Sequence, residues 1–328
     1  MQIARIVNFW LKKCKLLRTR FKWIIFATTN SKIMNRNSLL ILLFALLPLY
    51  LCAQSRAPEI KIEQKYKTEK DTSGYDERPY FILIEQSEKA LAEEDYESAG
   101  LRLVEAMGME PDNELNVALL SNLGMIYYYN DQDSLALVVL NEATKRAPKL
   151  IAAHENKARV LTGLGRDKEA FLEYENILAI DSLHLESRFM HGMIALYGGN
   201  LNAAESDFSV LNSVVPESKK TWLALGTLYS MTGREQEAIS YFRKLIEFDP
   251  AVEYYARLIA CMIVLDDLDG ASKMMGDAMV KYPSDPELFF YRALLNKKRY
   301  LSDDAKRDAK RAIELGADPE RVKLIFSK

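Results

Sequence analysis

The chain has 328 residues, 49% of them hydrophobic, and a formal net charge of -2, a composition that allows a large buried core. Its charge is uneven, because residues 1–58 hold ten Lys or Arg and no Asp or Glu. Removal of residues 1–53 would leave 35 Lys and Arg against 46 Asp and Glu, a net charge of -11. Such an acidic domain lacks the basic face that nucleic acid requires, and we expect no nucleic-acid partner.

Residues 1–53 are predicted to be a leader. An apolar run from Asn37 to Ala53 follows Arg36 and ends in a small residue, the order of parts found in a secretory signal. Pro48 interrupts the run, which is shorter than the roughly 20 residues that a membrane span needs. We therefore expect an exported chain, periplasmic or associated with the cell envelope, with a cleaved signal whose natural start is Met34.

Two alternatives to cleavage remain open. The leader is an uncleaved anchor in one, and membrane contact is expected only in that case. In the other, a lipid is attached to Cys52, because Leu49 lies three residues before it, although Leu51 stands where lipoprotein signals place a small residue. Cleavage would leave Cys261 as the single cysteine, so that no internal disulfide can form. Residues 54–79 are polar and charged, and they are predicted to be a linker.

The next feature is a repeated pair of amphipathic helices, clearest in residues 219–251. Trp222, Gly226 and Tyr229 follow helical spacing, Gly233 breaks the pattern, and a second helical run contains Ala238 and ends before Pro250. The alanine recurs at spacings of 37, 34, 34, 34, 33 and 34 residues as Ala99, Ala136, Ala170, Ala204, Ala238, Ala271 and Ala305. The residue four positions later is Leu103, Leu140, Tyr174, Phe208, Phe242, Met275 or Ala309. A recurring small residue predicts a close crossing of the two helices, here Gly226 against Ala238.

This pattern resembles the tetratricopeptide repeat, a helix–turn–helix unit of about 34 residues. The resemblance implies an all-α fold, a right-handed superhelical solenoid of antiparallel helix pairs. The small first-helix position is occupied by Gly or Ala in five repeats, whereas Ser87 and Ile259 depart from it. Seven repeats are predicted within residues 80–319, at 80–113, 117–150, 151–184, 185–218, 219–251, 252–285 and 286–319. Residues 320–328 are predicted to be a short capping helix, with Val322, Ile325 and Phe326 covering the open end.

No residue pattern indicates catalysis. The three histidines are His154, His184 and His191, and no cysteine lies near them to complete a zinc site. Sequence motifs for metal hydrolysis, phosphate binding and nucleophilic serine are absent from the sequence. We therefore expect no enzyme activity, no metal and no small-molecule cofactor.

Binding by surface is the remaining hypothesis. In tetratricopeptide proteins the first helices line a concave groove, and the resemblance assigns to it Asn122, Met125, Tyr128, Tyr129, Asn156, Arg159, Phe189, Met193, Tyr197 and Met231. These side chains suit an adaptable groove for a peptide segment. The alternative, that many of them pack between neighbouring repeats, stays open. Met125 and Met193 stand where the carboxylate-clamp version of the family has asparagine, so recognition of a chaperone tail is not expected.

The sequence thus predicts an exported interaction scaffold that binds a protein or peptide segment in its concave groove. The alternative is a structural subunit of a cell-envelope assembly that uses its convex or terminal surfaces. A hydrolase is the third hypothesis, for which the required residues are missing.

Overall fold

The computed structural model describes residues 78–327, so the predicted leader and nearly all of the predicted linker lie outside the described residues. The α-helices of this range are α1 (Pro79–Ala92), α2 (Tyr96–Met109), α3 (Asn116–Tyr129), α4 (Asp133–Arg146), α5 (Ile151–Gly163), α6 (Asp167–Ile180), α7 (Leu185–Gly198), α8 (Leu201–Val214), α9 (Lys219–Met231), α10 (Glu235–Phe248), α11 (Val252–Val264), α12 (Leu268–Lys281), α13 (Pro286–Lys298), α14 (Ser302–Glu314) and α15 (Pro319–Lys323). A 3-10 turn, Leu324–Phe326, follows α15.

Helices α1 to α14 alternate along the chain as the first and the second helix of a pair, with a tight turn between the two. Packing within a pair is seen for α1–α2, α3–α4 and α5–α6 in one unit and for α9–α10, α11–α12 and α13–α14 in the other. The chain divides into two units, one ending at Ile194 and the other beginning at Ala195, within α7. In the first unit α3 packs against α2, α4 and α5, and in the second unit α11 packs against α10, α12 and α13. The predicted all-α solenoid class is confirmed by this arrangement.

The core of each pair is built around three columns of the second helix. All seven alanines of the predicted column are fully buried, at 0% exposure. The residues four positions later are buried as well, and so are those seven positions later: Ala106, Ala143, Ile177, Leu211, Leu245, Ala278 and Ala312. Positions i, i+4 and i+7 share one side of an α-helix, so each second helix has one continuous buried stripe.

The close approach of the two helices differs in detail from the prediction. A Cβ placed on Gly226 would lie 2.8 Å from Cε1 of Phe242, and the three atoms nearest to it all belong to that ring. At Gly124 the atoms nearest to such a Cβ all belong to Leu140. The glycine therefore makes room for the large residue that follows the alanine by four positions. We predicted that Gly226 faces Ala238, but the atoms nearest to a Cβ at Gly226 belong to Phe242, four positions after that alanine.

The turn inside each pair uses a left-handed residue five positions before the column alanine. It is glycine in three pairs, as at Gly233 with φ 75°, and the non-glycine residues Glu94, Asp131, Asp266 and Tyr300 in four. In the turn at Gly233, the Arg234 N–H donates to the Tyr229 carbonyl at 2.8 Å. This bond satisfies a carbonyl at the end of the first helix, which the helix itself leaves unpaired.

The end of the described chain closes against the last pair. Val322 and Ile325 are buried at 2% and 3% exposure, whereas Phe326 is 41% exposed with the Lys297 ammonium 5.8 Å from its ring centroid. The segment is a single helical turn and a 3-10 turn, which is less regular than the helix expected over residues 320–328. Two of the three side chains expected to cover the end are buried there.

Candidate functional site

The site predicted from the sequence lies on the first helices, and several of its side chains are buried in the core. Met125 is 2% exposed and packs with Ala136, Leu140 and Val160. Met193 is 9% exposed and Asn122 is 5% exposed. These three side chains are therefore not available to a ligand at the surface. The expectation that they line an open groove needs correction, because burying a methionine against its neighbours is more favourable than leaving it in water.

Asn156 is engaged in a contact between neighbouring repeats. Its Nδ2 donates to Ser121 Oγ at 2.9 Å, and Ser121 Oγ in turn donates to the Ala152 carbonyl at 3.4 Å. Asn122 occupies the equivalent position of α3 but makes no such bond, since its buried Nδ2 has no hydrogen-bond partner among the described residues. The Asn156 amide nitrogen thus fixes one repeat against the next, and only its carbonyl oxygen is left for another partner.

Two tyrosines at the end of α3 remain partly accessible. A side chain placed on Gly163 would collide with the Tyr128 hydroxyl, so that Tyr128 covers the end of α5. Tyr129 stacks on Tyr96 with 5.6 Å between the ring centroids. Burial raises the pKa of Tyr129 to about 12, against an opposing contribution from Arg159, and its buried hydroxyl has no hydrogen-bond partner among the described residues. A neutral hydroxyl beside a guanidinium is thus left without an acceptor.

Arg159 is the charged residue of this region. It is half-buried on α5, and its charge acts on the hydroxyls of Tyr129 and Tyr174. Within residues 78–327 no hydrogen bond or ion pair of its guanidinium is found. A partly desolvated cation without a carboxylate is unusual, because buried charges are ordinarily paired.

The remaining predicted residues divide between the two units. Phe189 is half-buried on the part of α7 that belongs to the first unit. Tyr197 and Met231 are half-buried and belong to the second unit. In that unit the first helix α9 is buried without interruption from Thr221 to Ser230.

A buried ionic cluster between α5 and α6 is absent from the sequence prediction. His154 Nδ1 lies 2.6 Å from Glu173 Oε2, its Nε2 lies 3.0 Å from the Pro148 carbonyl, and Lys157 Nζ lies 2.6 Å from Glu173 Oε1. Burial alone would raise the pKa of Glu173, but hydrogen bonds from His154 and Lys157 bring it below its usual value. Both imidazole nitrogens therefore lie within hydrogen-bond distance of an oxygen. The sequence held one indication of this cluster, because Glu173 lies between Ala170 and Tyr174, two positions that the repeat pattern predicts to be buried.

The other titratable groups do not form a reactive cluster. His184 Nε2 lies 3.8 Å from Glu155 Oε1, and the His191 ring stacks on Phe171 with centroids 3.9 Å apart. Cys261 is buried, and burial raises the pKa of its thiol to about 12. Within residues 78–327 no group of three or more His, Cys, Asp or Glu side chains is arranged to hold a metal ion.

None of the helices between residues 78 and 327 combines the length and the hydropathy that crossing a bilayer requires.

Comparison with known proteins identifies the repeat. The family model for the tetratricopeptide repeat matches residues 220–257. The structure of a tetratricopeptide repeat protein from Parabacteroides merdae is similar, with 27% identity, a TM-score of 0.55, and coverage of 76% of this chain and 97% of that one. The C-terminal part of a TPR repeat-containing protein from Cytophaga hutchinsonii shares 16% identity with a TM-score of 0.60, over 75% and 100% of the two chains.

A third structure is YrrB, described as a TPR protein with an unusual peptide-binding site, with 16% identity, a TM-score of 0.47, and coverage of 57% and 97%. Among curated proteins none matches the sequence. The alanine-centred helix pairs, the family model over residues 220–257 and the similar Parabacteroides merdae structure agree: the chain contains a tetratricopeptide repeat and is similar in fold to tetratricopeptide repeat proteins.

Proposed function

We propose that this protein is an exported interaction scaffold that binds a peptide segment through the first helices of its first unit. The binding face consists of the predicted residues that remain accessible there, namely Tyr128, Tyr129, Asn156, Arg159 and Phe189. Export is supported by the basic n-region and apolar run of residues 36–53. The proposal gives the chain no catalytic role.

The observation that carries the proposal is the unpaired Arg159 guanidinium. A carboxylate of a peptide would form two parallel hydrogen bonds with it, and such charge-assisted bonds are stronger than neutral ones. The pair would form in partly desolvated surroundings, where its attraction is less screened than in water. The peptide partner is therefore expected to carry an Asp, a Glu or a free C-terminus opposite Arg159.

Two neighbouring groups suit the backbone and the side chains of the same peptide. The Asn156 carbonyl oxygen can accept from a peptide N–H, because its amide nitrogen is already bound to Ser121. The partly exposed rings of Tyr128 and Phe189 supply apolar contact at a low cost in conformational entropy, since each has only two side-chain torsions. The repeats hold these groups rigidly, which lowers the ordering cost of binding.

The test is site-specific crosslinking in the native host. A photoreactive amino acid placed at Phe189 should capture a partner, and the additional change Arg159→Ala should reduce that capture at least tenfold. Arg159→Lys should restore only part of it, because lysine lacks the planar fork. Undiminished capture after Arg159→Ala, with the fold intact by circular dichroism, would overturn the proposal.

A second candidate is a structural subunit of an envelope assembly that uses its outer surface. It is favoured by exposed apolar side chains on the second helices, such as Leu101 at 64% exposure. The same crosslinker at Val138 would then capture the partner instead.

A further inference from the structure

The second helices of the first unit carry a series of exposed apolar side chains. We name it the outer strip and define it by Leu101, Val104, Leu135, Val138 and Leu172, whose exposures are 64%, 45%, 48%, 62% and 55%. Three of them, Leu101, Val138 and Leu172, follow the column alanine of their repeat by two positions. Two positions correspond to about 200° around a helix, so these side chains point away from the first helix.

The same position is polar in every repeat of the second unit. There it is occupied by the exposed residues Ser206, Ser240, Lys273 and Arg307. Single exposed hydrophobic residues are normal on a protein surface. Repetition at one structural position in three successive pairs is different, because contiguous apolar patches mark interaction sites. The outer strip is therefore a candidate interaction surface.

The charge around the strip indicates the chemistry of that partner. Between Pro79 and Asn116 the chain has ten Asp or Glu and only two Lys or Arg. Glu97 is exposed one helical turn before Leu101, and no ion pair of Glu97 is found with any residue of the described range. Glu105, next to Val104, is exposed as well and pairs with Arg102 at 3.0 Å. Leu101 and Val104 thus lie on the same helix as two exposed carboxylates, Glu97 and Glu105.

We propose that the outer strip docks a basic amphipathic helix of a partner protein. Leu101 with Val104, and Leu135 with Val138, are pairs at i and i+3, which form apolar ridges on their helices. A helix with one apolar stripe fits such ridges, and Lys or Arg beside that stripe meets the acidic rim. An acidic helix would bring like charges together and is disfavoured. This inference does not depend on the first-helix face.

The probe is a synthetic 18-residue helix of Leu and Lys with one leucine stripe, labelled for fluorescence anisotropy and titrated with the full chain. We expect saturable binding that weakens with salt and at least tenfold in Leu101→Ser with Val138→Ser. The matched control Val280→Ser removes an 85% exposed apolar side chain of α12 and should leave binding unchanged. Arg159→Ala should leave it unchanged too, which separates this surface from the proposed peptide face.

Three results would overturn the assignment. Equal binding of an oligolysine of the same charge would show attraction to acidity alone. Equal binding of a Leu and Glu helix would show that the rim does not select a basic partner. If sedimentation shows a dimer that Leu101→Ser with Val138→Ser dissociates, a second copy of the chain occupies the strip instead.

Discussion

The two units use the same helix pair with the polar and apolar residues distributed differently. In the first unit the outer positions of the second helices are apolar and exposed, as at Leu101, Val138 and Leu172. In the second unit the first helices α9 and α11 are buried over Thr221–Ser230 and Tyr255–Ile263, and the outer positions are polar. The buried columns are therefore common to all repeats, whereas the exposed positions of the second helices differ between the two units.

This comparison separates what the repeat needs from what a partner needs. The columns are buried in both units, so their residues stabilise the fold. A buried carboxylate three positions after the column alanine occurs in both units, as Glu173 in the first and as Asp207 and Asp308 in the second, so buried charge does not distinguish the units. The exposed apolar positions do distinguish them, and both surfaces that we assign to partners belong to the first unit.

The largest expected effect concerns the columns. Phe242→Ala should lower the free energy of unfolding by about 3–5 kcal/mol, because it removes a fully buried ring and leaves a cavity. Urea unfolding of the full chain followed by circular dichroism measures it. Phe248→Ala in the same helix, where the ring is 57% exposed, should cost about 1 kcal/mol. Equal losses would contradict the assignment of Phe242 to the core.

The second effect concerns the ionic cluster. Glu173→Gln should destabilise the chain by about 3 kcal/mol at neutral pH, since it removes the buried carboxylate that pairs with the Lys157 ammonium and bonds to His154. Because the folded-state pKa of Glu173 is lowered, its contribution is complete above the unfolded-state pKa and is lost as pH falls through the folded one. Thermal unfolding between pH 7 and pH 3 should therefore converge for the two proteins on acidification. The exposed Glu175→Gln is the control and should show no such convergence.

A smaller effect tests the close approach in the second unit. Gly226→Ala should destabilise by about 1–3 kcal/mol, because the new Cβ collides with the buried Phe242 ring. Gly276→Ala is the matched change in α12, where nothing lies within 4 Å of an added Cβ, and it should stabilise by about 0.5–1 kcal/mol. Opposite shifts of the urea midpoint check the pair. Stabilisation by both would show that the helices of the α9–α10 pair can separate freely.

The smallest effect sharpens the contrast between the outer surfaces. Leu172 and Ser206 occupy the same position, two residues after the column alanine, in neighbouring repeats. Leu172→Ser and Ser206→Leu should each change the free energy of unfolding by less than about 0.5 kcal/mol. Urea unfolding of the two variants measures this. A loss above about 2 kcal/mol in Leu172→Ser would show that the outer strip belongs to the core.

The repeat itself could be predicted from the sequence because burial follows the periodicity of a helix. The alanine column and the large residue four positions later are visible as spacings, and both are buried. The burial of Met125 and Met193 could not be inferred in the same way. Apolar residues surround α3 on every side, and a helix of that kind does not reveal which face a neighbouring repeat covers.

The polar contacts were hidden for a different reason. Whether Glu173 contacts His154 depends on the register in which α5 and α6 pack. The sequence of either helix alone does not determine that register, and so it does not predict the 2.6 Å contact between the two side chains. The left-handed backbone of Glu94 and Tyr300 could not be predicted from the sequence either, because neither glutamate nor tyrosine favours that conformation. The outer strip needed the structure as well: Leu101, Val138 and Leu172 share one repeat position in the sequence, but only the structure shows that they are exposed.

The left-handed turn has a consequence for how such a chain changes its length. The turn residue always lies five positions before the column alanine. The segment from one turn residue up to the next can therefore be deleted, and the chain rejoined, without changing the residues of either flanking helix. Excision of residues 199–232 would place Gly233 directly after Gly198 and preserve the spacing of both. Duplication or loss of whole 34-residue modules is thus mechanically simple, and homologous chains of different lengths can share one set of surfaces.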